Sequence, residues 1–360
     1  MTMGSVSYHS LGSHRRGYRA FTALSGEPDG FVLDPLDDVV LVRNSADSAK
    51  NFCGSLAQAL TAGALAYTSP STKYVRSSGG ILVPGTAPRC HYAQDGTPVG
   101  ILVEPQRTNL LLGSEAPTTQ NVTVTATPYT LSFYGTGTVT LSGASTAGPL
   151  VGTGASNKVT LTFTPSAGTL TLTVSGTVAF ANLEAGKWGT SFIKTEGSSV
   201  TRNADALTTP NAWLPGDFNV DGSMMAITQA PHPDPDNSAG VVCYYIDTGN
   251  TARLVLGPPG SANAGMGVTS SSSVAASAVQ AAASGRVKMA MRWAVNDFRA
   301  AVNGTLGAAD TSGATFTFGT AGSIRWGLVT TNTTRMSGPI ELGVLLPRPI
   351  TDAELTARTT

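Results

Sequence analysis

Between about residues 118 and 182, hydrophobic and polar positions alternate strictly. NVTVTATPYTLSFYGTGTVTLSG and then KVTLTFTPSAGTLTLTVSGTVAFANLEAG place Val, Leu or Phe on one face and Thr on the other. A period of two is the repeat of a strand, so this stretch predicts an antiparallel sheet with one buried face. Turn signals at TP, GTG, SG and PSAG recur at the spacing of a small sandwich. Thr favours strands and exposes a hydroxyl, so such a sheet stays hydrated with almost no charge.

Beyond it, SMMAITQA, GVVCYYIDT, TARLVLG, RVKMAMRWAV, DFRAAVNGTL, ATFTFGT, SIRWGLVTT and PIELGVLLPR are strand-like runs that predict a second sandwich over 209–360. Within it, SSSSVAASAVQAAASG (270–285) reads as a loop or a loosely held edge, with a helix as the alternative. Asp352, after Thr351, is the expected cap of a short terminal helix. Trp188–Thr208 is polar and poor in periodic positions, and reads as a linker.

The N-terminal third is different. Tyr67–Leu112 holds short apolar runs separated by GG, PG, DG and prolines at 84, 88, 98 and 105, which predicts short strands rather than one continuous sheet. Asn51–Ala66 is Ala/Leu-rich and reads as a short helix or irregular chain, since Gly54 and Gly63 would each cost a helix about 1 kcal/mol relative to Ala. Residues 1–50 contain one short apolar run, in DPLDDVVLVRNS, and read as a mostly irregular arm. The expected division is an arm (1–50), a short-stranded hairpin module (51–117), a small sandwich (118–208) and a larger one (209–360). The fold class is all-β, with tandem antiparallel sandwiches.

Composition adds a surface. Charged residues make up 12% of the chain, about half of the roughly 25% usual for a soluble domain. Ser, Thr, Asn and Gly must cover the outside, a surface readily buried against another copy. With 22 basic and 22 acidic residues the net charge is zero, so no field steers the chain toward nucleic acid. No apolar run is long enough for membrane insertion, and MTMGSVSYHSLGSHRRGYRAF lacks a secretory apolar core. Cys53, Cys90 and Cys243 show no metal-ligand spacing and read as free thiols, a Cys53–Cys90 bridge being the alternative.

Three stretches carry a resemblance. Val75-Arg76, Gly79-Gly80, Pro88-Arg89, Asp95-Gly96, Gly100 to Glu104 and Arg107 to Leu111 fall in the order of a module found in phage tail-fibre and virion-surface proteins. NLEAG…TSFI…T…G…VTRNAD, closing the Asn121–Asp205 region, resembles the carbohydrate-binding-module-like sandwich of the same proteins. RVKMAMRWAVNDFRAAVNGTL and SGPIELGVLLPRPITDAEL resemble the closing strands and helix of concanavalin-like or laminin-G-like domains. The resemblance implies jelly-roll and concanavalin-like folds and a virion structural protein, assembled in the host cytoplasm. Its implied partners are other capsid or tail proteins, further copies of itself as a homotrimer, and a host-surface glycan. A capsid-decorating, cementing or head-fibre role is the alternative reading, and a polysaccharide depolymerase the third.

Candidate contacts follow from the chemistry each role needs. A sugar's apolar face needs an aromatic platform with amide or carboxylate groups beside it. Tyr129 and Tyr134 in the small sandwich, and Trp213, Tyr244, Tyr245 and Asp247 in the large one, are the candidates. Trp293 and Trp326 alternate with apolar neighbours and are assigned to the core. The basic cluster His14, Arg15, Arg16 and Arg19 is the candidate virion anchor. Glu104 and Arg107 are placed to pair across a bend. Asp34, Asp37 and Asp38, and Asp234 and Asp236, are acidic clusters without the spacing of a calcium loop, and no metal or cofactor is expected. Four histidines in loop-like segments and no nucleophile or phosphate-cradle motif leave no catalytic residue to name.

Overall fold

A computed structural model describes residues 18–68, 71–214, 221–229, 232–233, 243–246, 252–256, 265–270, 273–279, 286–311, 323–327 and 336–360. The chain is all-β, as the alternation predicts, and its sheets are antiparallel throughout. Among the described residues no helix is long and apolar enough to cross a membrane.

The larger sandwich draws its strands from both ends of the chain. One sheet runs in the order Thr305–Leu306, Asp297–Val302, Arg286–Ala294, Gly222–Gln229, Met336–Leu346, Gly30–Asp34, Val39–Arg43 and Phe52–Gly54. Phe31 pairs with Leu345 and Leu33 with Gly343, so the first long strand lies beside the last. The facing sheet runs Ser273–Val279, Gly265–Ser270, Ala252–Leu256, Cys243–Ile246, Ser323–Trp326, Ala206–Pro210 and Ala66–Thr68. The Ser/Ala-rich run is thus its edge strand.

Over residues 18–50 this placement corrects the irregular chain expected there. Gly30–Asp34 is buried along its whole length and Val39–Arg43 nearly so. Alternation explains why these runs are apolar on both sides. Phe31, Leu33, Val40 and Val42 face the inter-sheet core with Trp293 and Trp326. Val32, Val39 and Leu41 face a second core with Leu24, Ile350 and Leu355, under the helix Asp352–Thr359.

That helix is capped by Thr351, which accepts from the backbone N–H of Glu354, while Glu354 returns the bond to the Thr351 N–H. Asp352 sits inside the first turn and takes Arg292 at 2.5 Å. The helix Leu56–Ala62 forms as expected, with Ser55 as its cap. Its two glycines cost it nothing because both lie outside: Gly54 precedes the cap, and Gly63 (φ 78°) takes the left-handed position that ends it.

The small sandwich faces Gln120–Val124, Gly168–Ser175, Thr138–Gly143 and Leu150–Val151 against Gly154–Phe163, Tyr129–Gly135 and Val178–Ala185. Leu131, Phe133, Leu141, Leu170, Leu172 and Leu183 fill its core. It is an insertion: the chain enters through Arg107–Asn109 and leaves through Val200–Arg202, and these strands pair antiparallel with Thr201 opposite Thr108. The following strand, Ala206–Pro210, then rejoins the larger sandwich. The stretch expected as a linker therefore contains two strands and, as shown below, a buried seam.

Candidate functional site

The strand Tyr129–Gly135 is buried on both faces, although its outer face carries Thr130 and Ser132. The cover at Thr130 and Ser132 is the chain at Gly186, whose carbonyl accepts the Thr130 hydroxyl at 2.8 Å, and at Gly189, which lies against both. The chain that follows, Thr190 to Thr195, is held by polar groups that satisfy one another. Asn182 Oδ1 accepts the Ile193 N–H (3.0 Å), and Glu184 accepts the Thr190 N–H (2.9 Å) and hydroxyl (2.5 Å). Asn109 donates to the carbonyls of Ala181 (2.9 Å) and Ile193 (2.8 Å), and its Oδ1 accepts from Leu111 and Leu183.

A second layer fixes this cover to the larger sandwich. Glu104 accepts the Ser191 N–H and hydroxyl, each at 2.7 Å, and Arg202 Nη1 at 2.7 Å. Arg202 Nη2 donates to the Pro105 carbonyl at 3.0 Å. Asp205 accepts the Glu104 N–H (2.9 Å), the Tyr67 hydroxyl (3.1 Å) and the buried ammonium of Lys73. Burial pushes the Glu104 carboxyl up, but Arg202, Lys73 and Ser191 outweigh it and hold its pKa at about 2. The expected pairing of Glu104 with Arg107 is corrected: the partner is Arg202, and Arg107 donates to the Gln106 carbonyl.

The residues shared by the two motif strings, from Glu104 to Leu111 and from Asn182 to Asp205, thus meet as one buried polar seam. Glu104, Glu184 and Asp205 are at most 3% exposed, so these carboxylates cannot serve a substrate in solvent. His91, whose Nδ1 accepts the Arg76 N–H at 3.0 Å, is driven down to about 4 chiefly by burial and is neutral at pH 7. Among the described residues no group of three His, Cys, Asp or Glu side chains is gathered to hold a metal ion. Asp34 is fully buried, and its Oδ1 takes the Asp37 N–H at 3.4 Å. Cys53 and Cys90 are both free thiols.

The sandwich tyrosines proposed as sugar platforms are core residues. Tyr129 stacks on Phe163 with ring centroids 6.5 Å apart, and Tyr134 lies under the Arg76 guanidinium, 5.4 Å from its centroid. At 4% and 7% exposure neither offers a face to a ligand. Trp213 is half-buried, with Phe52 at its edge and the Lys50 ammonium 5.0 Å above its ring. Tyr244 and Tyr245 lie in Cys243–Ile246 with side chains outside the described residues, as are Asp247, Asp234, Asp236, His14, Arg15 and Arg16. Arg19 is engaged internally, 3.0 Å from Glu341 and 3.8 Å from Asp34. That contact fastens the first helix to the sheet.

Tyr134 is the buried end of an aromatic run that leads to the surface. Its ring meets Phe180 edge-on at 6.3 Å, Phe180 meets Phe192 at 5.3 Å, and Phe192 meets Tyr74 at 5.0 Å. Phe180 reaches this position from a bulge, where the register against Tyr129–Gly135 slips between Ser132 and Tyr134 and its φ is 48°. Tyr74, the half-exposed end, lines a groove of about 440 Å³ with Thr72, Lys194, Glu196 and Ser198. The sequence marks Tyr74 only through KYVR, where alternation sets it opposite Lys73 and Val75, which are buried. A cleft of about 480 Å³ lies between Pro35–Asp38 and Pro88–Tyr92, and a hollow of about 380 Å³ lies beside Arg107 and Ala185.

No family model and no curated protein matches this chain. Solved structures give partial likenesses. Domain 4 of the extracellular arabinanase AbnA from Geobacillus stearothermophilus, in complex with arabinotriose, aligns at 12% identity over 48% of this chain and 83% of that one, with a TM-score of 0.37. The CBM40 module of the Ruminococcus gnavus IT-sialidase aligns at 15% identity over 39% and 84%, with a TM-score of 0.32. An α-L-arabinofuranosidase of glycoside hydrolase family 54 aligns at 13% over 84% and 65%, with a TM-score of 0.31. The sandwiches are established by this chain's own strand pairing.

Proposed function

We propose that this chain is a structural subunit on the surface of a bacteriophage particle and that its sandwiches serve attachment to host-surface glycans. The observation that carries the reading is the seam. The two strings that resemble phage fibre and virion-surface proteins meet through Asn109–Asn182, 73 residues apart along the chain, and Glu104–Arg202, 98 residues apart. The residues on which the resemblance rests are thus also residues that the fold brings into contact. The seam stiffens the junction of the two sandwiches, as a displayed fibre subunit requires, and the low surface charge suits packing of copies into a trimer.

Immunogold labelling of intact particles tests the reading. Labelled particles whose adsorption is inhibited by soluble protein support it, and unlabelled particles overturn it. Light scattering tests the assembly, where a stable monomer at micromolar concentration speaks against a trimer.

A further inference from the structure

We infer that the groove headed by Tyr74 is the carbohydrate subsite of this protein and that it takes a neutral, hydroxyl-rich sugar. The inference deepens the attachment reading and rests on it.

Three features distinguish the groove. Its volume, about 440 Å³, lies within the roughly 300–1,000 Å³ of small-ligand sites. Its aromatic ring is held in place from behind: Tyr74 packs on Phe192, which packs on Phe180 at the strand bulge. A ring supported in this way loses little freedom on binding, which lowers the cost of association. Finally, the walls alternate hydroxyls with a balanced ion pair. Thr72 and Ser198 are exposed, and Lys194 lies 3.7 Å from Glu196 within the groove and 2.8 Å from Glu115.

That balance selects the ligand class. Arg202 also lines the groove, but its guanidinium is turned to Glu104 and the Pro105 carbonyl. The Lys194 ammonium has two carboxylates near it. The groove therefore presents no cation in excess of its anions, and an acidic sugar would have to compete with Glu196 and Glu115 for Lys194. A neutral pyranose can lay its C–H face on Tyr74 and exchange hydrogen bonds with Thr72, Ser198, Lys194 and Glu196.

The test uses the full chain on an array of immobilised neutral, sialylated and uronic-acid glycans, followed by calorimetry with the best neutral hit. Tyr74→Ala is expected to weaken binding by roughly tenfold or more, while Tyr74→Phe retains affinity to within about threefold. Raising salt from about 50 to about 500 mM should leave affinity nearly unchanged, because no net charge is neutralised. Thermal melts of both variants separate loss of the ring from loss of fold, and Ser198→Trp, which fills the groove from an exposed position, provides an independent block. Neutral-glycan binding that survives both Tyr74→Ala and Ser198→Trp overturns the groove and leaves the attachment reading standing. Binding confined to acidic glycans and lost in salt overturns the ligand class. A wild-type chain that binds no glycan overturns both.

Discussion

Glu104 and Arg202 stand 98 residues apart in the chain and meet at 2.7 Å, with side chains 3% and 1% exposed. Removing one partner strands a buried charge, so Arg202→Met is expected to cost about 3–5 kcal/mol, read from the denaturant midpoint at neutral pH. The pair also sets an acid limit. Because the Glu104 pKa falls from its ordinary 4.5 to about 2 on folding, its stabilisation is complete above the higher value and is lost as pH falls through the lower one. Glu104→Gln should flatten the stability curve across that window. An unchanged acid limb in the variant would show that other groups set it.

Asp34 acts in the opposite sense. Burial lifts its pKa from 3.8 to about 6, against the pull of Arg19, and its Oδ2 has no hydrogen-bond partner among the described residues. The folded chain holds this proton more tightly than the unfolded one, so stability declines as pH rises between those values. Asp34→Asn is expected to stabilise the protein by about 1–3 kcal/mol near pH 7.5 and to change little near pH 4. Melts at the two pH values decide it, and a less stable variant near pH 7.5 would mean that the ionised carboxylate is needed by Arg19.

Gly343 sits where a Cβ would overlap the ring carbons of Trp326, which is fully buried and stacked 6.1 Å from Phe31. Gly343→Ala should force the indole to shift at a cost of about 1–3 kcal/mol. Tryptophan emission and the melting temperature should change together. A variant with native emission and native Tm would mean that the core has room for the methyl group.

Deleting residues 1–50 removes Gly30–Asp34 and Val39–Arg43, and with them Phe31, Leu33, Val40 and Val42 from the main core. The truncated chain is expected to be insoluble. Recovery of a soluble protein that melts cooperatively would contradict the pairing of Phe31 with Leu345.

The small sandwich was legible because one of its faces is consistently apolar, and period-two alternation reports that directly. The larger sandwich was legible only in part. Alternation marks a strand with one buried face, whereas Gly30–Asp34 and Val39–Arg43 are covered on both, and nothing in Gly30–Asp34 itself points to a partner as distant as Leu345. The seam was legible as letters and not as contacts. The motif strings named Asn109, Asn182, Glu104 and Arg202, but only the fold shows that Asn109 meets Asn182 and that Arg202 meets Glu104. The aromatic candidates failed for a related reason. A tyrosine in an alternating strand looks alike whether its face is solvated or covered, and Tyr134 is covered by Arg76 and Phe180, from two strands distant in sequence.

The pairing of Arg107–Asn109 with Val200–Arg202 gives the inserted sandwich a neck of two adjacent strands. A contiguous piece of coding sequence therefore specifies a detachable cassette, with both cut points side by side. Exchange of that cassette by recombination could replace the small sandwich in one event, provided the incoming piece carries counterparts of Ser191 and Arg202 to meet Glu104. The neck makes this part of the molecule separately heritable.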